Sequence, residues 1–300
     1  MNLRDIEYAV MVSKTLHFGR AAELCFVSQP TLSTQLKKFE EELGVQLFER
    51  SNKKVIITSE GRVLVAKAQQ ILNEVKGMKD FARHAGNPLS GVFRLGIIPT
   101  LGPYLLPLMI GEMRESLPKL DLHVVENKTD HVLSELAEGN LDAIVLALPV
   151  DTARNIVRNL FHEPFYVAMP EEHPLAVKSE ISIEDLEDEL ILLLDEGHCL
   201  RGHALDACQG VGIQQRSGFS ATSLETLRQL VSMGAGITLL PELAVRSKPK
   251  ESGVALRPFS KCSMGRGIGM VWRPETARLR CCEAIADIIY RVVKNEGGKR

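Results

Sequence analysis

The first sixty residues carry apolar positions at helical spacing. Leu3, Ile6, Val10 and Leu16 fit one face of a first helix, with Asn2 placed to cap it. Residues 18–25, FGRAAELC, predict a second, short helix whose Ala21 and Ala22 permit close packing. Phe26, Val27 and Ser28 read as a turn. Gln29-Pro30 then opens a third helix, at the position where proline's missing N–H costs nothing. Leu32, Leu36, Phe39 and Leu43 follow at intervals of four, three and four and form its buried stripe. The opposite side presents Gln29, Ser33 and Lys37, flanked by Pro30, Thr34 and Lys38. Short polar groups with two cations suit base edges and phosphates. Residues 46–57 alternate apolar and polar about Ser51-Asn52, which predicts a short hairpin, a wing bearing Arg50, Lys53 and Lys54. A polar helix face alone is more often simply solvated. The tight turn, the proline-opened helix and the basic wing together favour DNA binding.

A different period takes over next. Leu64, Ala68, Ile71, Val75, Met78, Ala82 and Ala85 alternate spacings of four and three, which is a heptad seam. A helix of about 26 residues spans roughly 39 Å. Gly77 weakens it and Gly86-Asn87-Pro88 ends it. Such a helix either packs on its own domain or dimerises. Three clean heptads between two domains point to dimerisation.

From Gly91 onward the pattern is α/β. Strands are expected at 92–98, 120–126, 141–148, 165–169, 190–194, 236–240 and 267–272, and helices at 101–116, 130–138, 224–233 and 281–294. Alternating strands and helices imply parallel sheets with right-handed crossovers. Thr100 and Thr129 follow the first two strands, where open α/β sheets bind ligands. Both threonines also suit plain helix N-caps.

At 300 residues the chain has room for more than one core, and 45% hydrophobic with 25% charged residues is ordinary for a globular protein. No apolar run approaches the roughly 20 residues of a membrane helix. The start, MNLRDIEYAV, has charges where a signal peptide would be apolar, so a cytoplasmic location is expected. A net charge of −2 confines any DNA contact to local basic clusters.

Residues 189–210 hold the most unusual chemistry. An apolar run, 190–194, turns at Asp195-Glu196-Gly197 and leads to Cys199 and Cys208. Cys199 has His198 and Arg201 for neighbours, and cations beside a thiol favour the reactive thiolate. Cys208 lies between Ala207 and Gln209 without one. If the segment were one helix, nine residues would part the two Cα atoms by roughly 13 Å, whereas a disulfide needs about 4.4–6.8 Å. The pair could bond only in a non-helical or refolded segment. A permanent disulfide is unexpected in the cytoplasm, so pairing there would be transient. Two other readings stand beside a redox one. Cysteine is often a small core residue, which covers Cys25, Cys262, Cys281 and Cys282 as well. His198, Cys199, His203 and Cys208 are also metal-ligand types, but their spacing matches no zinc pattern.

The segment HFGRAAELCFVSQPTLSTQLKKFEEELGVQLFER resembles the winged helix-turn-helix of LysR-type transcriptional regulators. The paired alanines, the SQPTLS turn and the tail from Phe39 to Arg50 carry the likeness, with Phe39 where the family has leucine. The resemblance implies that residues 18–37 read double-stranded DNA, through Ser28, Gln29, Pro30, Thr31, Ser33, Thr34, Lys37 and Lys38, with Arg50, Lys53 and Lys54 on the wing. The implied fold is α/β. A winged helix-turn-helix occupies 1–58 and a linker or dimerisation helix 59–88. A periplasmic-binding-protein-like effector domain occupies 89–300, with subdomain I at 89–163 and 267–300 and subdomain II at 164–266. The chain would cross between the subdomains near 161–164 and again near Arg266.

FRLGIIPTLGPYLLP, DEGHCLRGHALDAC and ATSLETLRQLVSMGAGITLLPELAV resemble peroxide-sensing members of that family. By that resemblance Cys199 is oxidised by hydrogen peroxide to a sulfenic acid and Cys208 resolves it as a disulfide. Thr100, Thr129, His198 and Arg266 match positions around the reactive cysteine. Gly202 and His203 occupy variable positions, and Cys262, Cys281 and Cys282 are additional thiols. The implied protein is a homodimer or homotetramer that works on DNA with RNA polymerase, in the cytoplasm at the nucleoid. It is expected to have no metal or cofactor and not to be an enzyme. Two alternatives remain: a LysR-type regulator answering a small organic effector, and a two-cysteine thiol peroxidase. The latter leaves the recognition helix and linker unexplained.

Overall fold

The computed structural model describes residues 1–50, 54–84, 87–152, 154–187, 189–207, 214–247, 253–260 and 264–297. The chain divides into two compact units, Met1–Arg83 and His84–Arg300.

In the first unit, α1 (Leu3–Thr15) begins at Asn2. The Asn2 side chain accepts from the Asp5 N–H, and the Asp5 carboxylate accepts from the Asn2 N–H. Two otherwise orphaned donors are thereby satisfied. α2 (Phe18–Leu24) and α3 (Gln29–Leu43) follow, with Ser28 capping α3 through the Thr31 N–H. Leu32, Leu36 and Phe39 are buried against Ala21, Ala22 and the apolar face of α1, and Leu43 is half-buried beside them. β1 (Phe48–Arg50) and β2 (Val55–Ile57) form the antiparallel wing, with Phe48 opposite Ile57. The turn between them lies outside the described residues.

Glu40 fixes the wing to α3. It is buried, and its Oε1 accepts from the N–H groups of Leu47 and Phe48 at 2.8 and 3.1 Å. α4 (Ser59–His84) starts under the same corner. A Cβ at Gly61 would stand 2.2 Å from the Leu47 carbonyl oxygen, so only glycine lets that helix approach so closely. Val65 and Ala68 are buried in the head's core, with Leu64 and Leu72 packed against it. Two of the seven expected seam positions, Leu64 and Ala68, thus belong to their own unit. Ile71 and Met78 are exposed, and Ala85 lies outside the described residues.

The second unit runs β3 (Gly91–Ile97), α5 (Gly102–Ser116), β4 (Leu120–Glu126), α6 (Thr129–Ala137), β5 (Ala143–Leu148), β6 (Ile156–Pro170), β7 (Leu190–Leu194), α7 (Cys199–Ala207), β8 (Gln214–Ala221), α8 (Leu224–Ser232), β9 (Thr238–Pro241), α9 (Glu242–Ser247), β10 (Val254–Pro258), β11 (Gly265–Trp272) and α10 (Leu279–Gly297). One core gathers Phe93, Leu95, Ile97, Ile144, Leu146, Met270 and the inner face of α10. A second gathers Phe165, Val167, Leu192, Leu227 and Leu239. β6 passes from the first to the second between Leu160 and Phe165, and β11 returns between Met264 and Ile268.

The expectation of parallel sheets needs correction. β3 pairs in parallel with β4 and β5, and β7 with β8. β11, however, is antiparallel to both β5 and β6, and β6 is antiparallel to β9 and β10. The cause is connectivity. The chain leaves the first core along β6 and comes back along β11, and adjacent strands running out and back are necessarily antiparallel. β6 is one strand of 15 residues where only 165–169 was expected, and β8, β10, α7 and α9 were not foreseen. No helix among the described residues is long and apolar enough to cross a membrane.

Candidate redox and DNA-reading sites

Cys199 is the first residue of α7, directly after the turn that ends β7. Gly197 makes that turn at φ +86°, a left-handed value that favours glycine. A side chain there would also meet Lys128, whose Nζ donates to the Glu196 carbonyl at 2.7 Å. This clasp joins the loop before α6 to the loop before α7.

α7 straddles the two cores. Leu200 and Ala204 are buried in the second, whereas Cys199 packs against the first. The Cys199 thiol is free and half-buried. It opens onto a cleft of about 400 Å³ lined by Thr129, His198, Arg201, Gly202 and Leu205 among others. Thr129 is the first residue of α6, not its cap, and its buried Oγ1 has no hydrogen-bond partner among the described residues. The plain N-cap reading therefore fails for Thr129. It fails for Thr100 too, because α5 is preceded by Leu101 and the Thr100 hydroxyl accepts from Arg266.

Thr129 and His198 thus share a cleft with Cys199, while Thr100 and Arg266 form a separate buried network. Arg266 Nε donates to Glu163 Oε2 at 2.8 Å, Nη1 to Thr100 Oγ1 at 2.7 Å, and Nη2 to the Thr100 carbonyl at 3.0 Å. Glu163 Oε1 accepts from the Leu243 N–H at the start of α9. Glu163 escaped the sequence reading. Its only signal was a carboxylate inside the otherwise strand-like FHEPF, at the point where the chain changes cores.

The cations expected beside Cys199 differ in their surroundings, and Arg201 lines the same cleft. Burial, then nearby Lys128, hold the His198 pKa below its usual value, with Asp195 opposing, so its imidazole is neutral at pH 7. Arg201 donates to the Leu194 carbonyl, and Arg266 is ion-paired with Glu163. Cys199 itself stands in the first turn of α7, where N–H groups lack intrahelical acceptors. Cys208 and Cys262 lie outside the described residues.

The other thiols have structural surroundings. Cys281 and Cys282 are buried in the first core, and desolvation pushes both pKa values up. Cys281 Sγ donates to the Pro88 carbonyl at 2.9 Å. The Cys25 pKa is raised by burial and by Glu7. No group of three or more metal-ligating side chains occurs among the described residues.

On α3, Gln29, Pro30, Thr31, Thr34, Lys37 and Lys38 are exposed, and Ser33 is half-buried. Ser28 is also exposed, but its hydroxyl is committed to the helix cap. Lys54 is exposed beside β2. Lys53 and the Arg50 side chain lie outside the described residues.

Known proteins match both units. Residues 3–62 match the bacterial regulatory helix-turn-helix protein of the lysR family, and residues 86–293 match the LysR substrate binding domain. The chain is 44% identical over 289 residues to the DNA-binding transcriptional dual regulator OxyR of Escherichia coli, covering 96% of this chain and 95% of that protein. A full-length OxyR from Pseudomonas aeruginosa, carrying a cysteine-to-aspartate replacement, superposes with TM-score 0.75 at 41% identity. It covers 97% of this chain and 98% of its own. A mutant OxyR from Corynebacterium glutamicum, described as H2O2-bound, gives TM-score 0.68 at 35% identity over 98% of this chain and 93% of its own. The chain belongs to the LysR-type DNA-binding transcriptional regulators, in the group of OxyR and the hydrogen peroxide-inducible gene activators.

Proposed function

We propose that this regulator senses hydrogen peroxide at Cys199 and converts the signal into a Cys199–Cys208 disulfide that alters how it holds DNA. The observation that carries this reading is the place of Cys199: a free thiol on the first turn of a helix shared by two cores, facing an open cleft with an unpartnered hydroxyl. The Cys199 thiolate attacks one peroxide oxygen and the O–O bond breaks. The leaving hydroxide takes a proton to become water, and Cys199 becomes a sulfenic acid. The Cys208 thiolate then attacks that sulfur, and hydroxide leaves, taking up a proton to become water, as the disulfide forms. Thr129 and His198 orient the peroxide. Thr100 and Arg266 hold the strands that shape the cleft.

This chemistry has a conformational consequence. Cys199 and Ala207 at the two ends of α7 lie about 12 Å apart. One further peptide brings position 208 no nearer than about 8 Å, beyond disulfide reach. α7 must therefore unwind before the bond closes. A disulfide across ten residues removes roughly 3 kcal/mol of chain entropy from disordered alternatives, comparable to the cost of refolding so short a segment. Oxidation would then select between two packings of one element. Exposed Ile71 and Met78 on α4 support dimerisation as a homodimer or homotetramer. The signal would pass through α4 to the DNA-reading heads and RNA polymerase, in the cytoplasm. The protein reacts once per oxidation cycle and is not a turning-over peroxidase.

Stoichiometric hydrogen peroxide followed by non-reducing digestion and mass spectrometry is expected to give one dominant disulfide peptide pair, Cys199 with Cys208. Pairing that involves Cys25, Cys262, Cys281 or Cys282 in its place removes this reading. On the DNA side, Gln29, Pro30 and Ser33 are assigned to base edges, and Lys37, Lys38, Arg50, Lys53 and Lys54 to phosphates. Replacing one contacting lysine by alanine should flatten the slope of log affinity against log salt by about 0.9, on specific and non-specific DNA alike. Unchanged slopes for all five single replacements would discard the assignment.

A further inference from the structure

His203 lies one helical turn beyond Cys199 on α7, the spacing that puts two side chains on one helix face. α7 packs against β7 and against β11, the strand that returns between the cores. The His203 Nδ1 is buried and has no hydrogen-bond partner among the described residues. The ring is hydrogen-bonded to the backbone of Leu148 at the end of β5 and lies within electrostatic reach of Arg266 on β11 and of Asp206 on α7 itself. Behind Arg266 stand Glu163 of β6 and the Thr100 hydroxyl, both bonded to its guanidinium. Arg266 cannot retreat from His203 without breaking those bonds. Burial first, then Arg266, lower the imidazole's pKa, while Asp206 and the Leu148 carbonyl act in the opposite direction. A neutral ring fits this seat. An imidazolium adds a second cation next to the buried guanidinium.

We propose that His203 makes the docking of α7 pH-sensitive, so that protonation drives the helix out from between the two cores. The inference rests on the reading of α7 as the element that unwinds on oxidation. The docked ring has the depressed pKa, and a released ring titrates near the ordinary value of about 6.5. Docking is therefore fully favoured above about pH 6.5 and loses ground as pH falls through that value toward the docked one. Between pH 7.5 and 5.5 a single such proton raises the population of released helix by up to about tenfold. Acidification thus loosens the element that must unwind for the disulfide to form, independently of any oxidant.

Hydrogen-exchange mass spectrometry on the reduced full-length protein tests this without peroxide. After correction for the intrinsic pH dependence of exchange, the opening of the α7 peptide should increase several-fold, approaching tenfold, from pH 7.5 to 5.5. Every variant is made in a His198→Gln background, which removes the other histidine beside α7 whose pKa burial lowers, and the increase should persist in that background. There His203→Gln should abolish it. A flat wild-type response overturns the proposal, as does an increase that survives in His203→Gln. Should His203→Gln leave α7 exchanging freely at both pH values, His203→Met provides the apolar control. A pH-dependent rise persisting in His203→Met is equally fatal. The disulfide map and the exchange data fail separately. Peroxide yielding no Cys199–Cys208 bond removes the sensor reading, while pH-independent α7 opening removes only the role of His203.

Discussion

Cys199→Ser is expected to abolish both fast oxidation by hydrogen peroxide and the peroxide-dependent change in operator footprint. Cys208→Ser should leave the first oxidation intact and accumulate a sulfenic acid that a dimedone-type probe traps. The asymmetry follows from position. Cys199 stands at the N-terminus of α7 and opens onto the cleft, whereas the other described cysteines lie in cores or at a helix junction. Burial makes Cys281 and Cys282 poor nucleophiles, because the thiolate is the attacking form and a low-dielectric core penalises it. Time-resolved thiol labelling after a peroxide pulse separates the two steps. A Cys199→Ser protein that still changes its footprint on adding peroxide would move the sensing chemistry to another thiol or to a bound metabolite.

Much of the DNA-reading unit was legible because its signals are local. Asn2 and Ser28 cap their helices, Pro30 opens α3, and the four-three-four apolar spacing names Leu32, Leu36 and Phe39 as buried. Each depends on neighbours within a few residues, where propensity and capping chemistry act. The effector unit was legible only in outline. The strand at 190–194 emerges with its expected ends because it is an apolar run, and that at 120–126, LDLHVVE, because polar residues interrupt its leucines and valines at strand spacing. β8, QQRSGFSA, carries no such run, and β10 is short and contains arginine and proline. Their strand character comes from partners far along the chain. The same limit applies to the site. Adjacency in sequence suggested that His198 and Arg201 serve Cys199 as cations. In the folded chain burial lowers the His198 pKa, while Arg201 lines the cleft beside Cys199 and also donates to the Leu194 carbonyl. Glu163, the counter-ion of Arg266, lies 103 residues from it. No local pattern announces such a pair.

That pair supports the second large effect. Arg266→Met is expected to destabilise the effector unit by about 3–5 kcal/mol, because it strands the Glu163 carboxylate in a site where both side chains are all but inaccessible. Equilibrium urea denaturation of the full-length protein measures the loss. The carboxylate is not the only group stranded. Thr100 loses the donor to its hydroxyl and to its carbonyl, so the segment after β3 is released from β11. Adding Glu163→Gln should recover a large part of the stability. A neutral amide no longer needs the guanidinium, yet its oxygen can still accept from the Leu243 N–H. The two changes should therefore couple strongly instead of adding. The distinction bears on mechanism. If Arg266 acted only by touching peroxide, the single variant would slow oxidation and leave unfolding unchanged, and Glu163→Gln would rescue nothing. If it holds β6, β11 and the Thr100 segment together, stability and oxidation rate should fall together in Arg266→Met and recover together in the double variant.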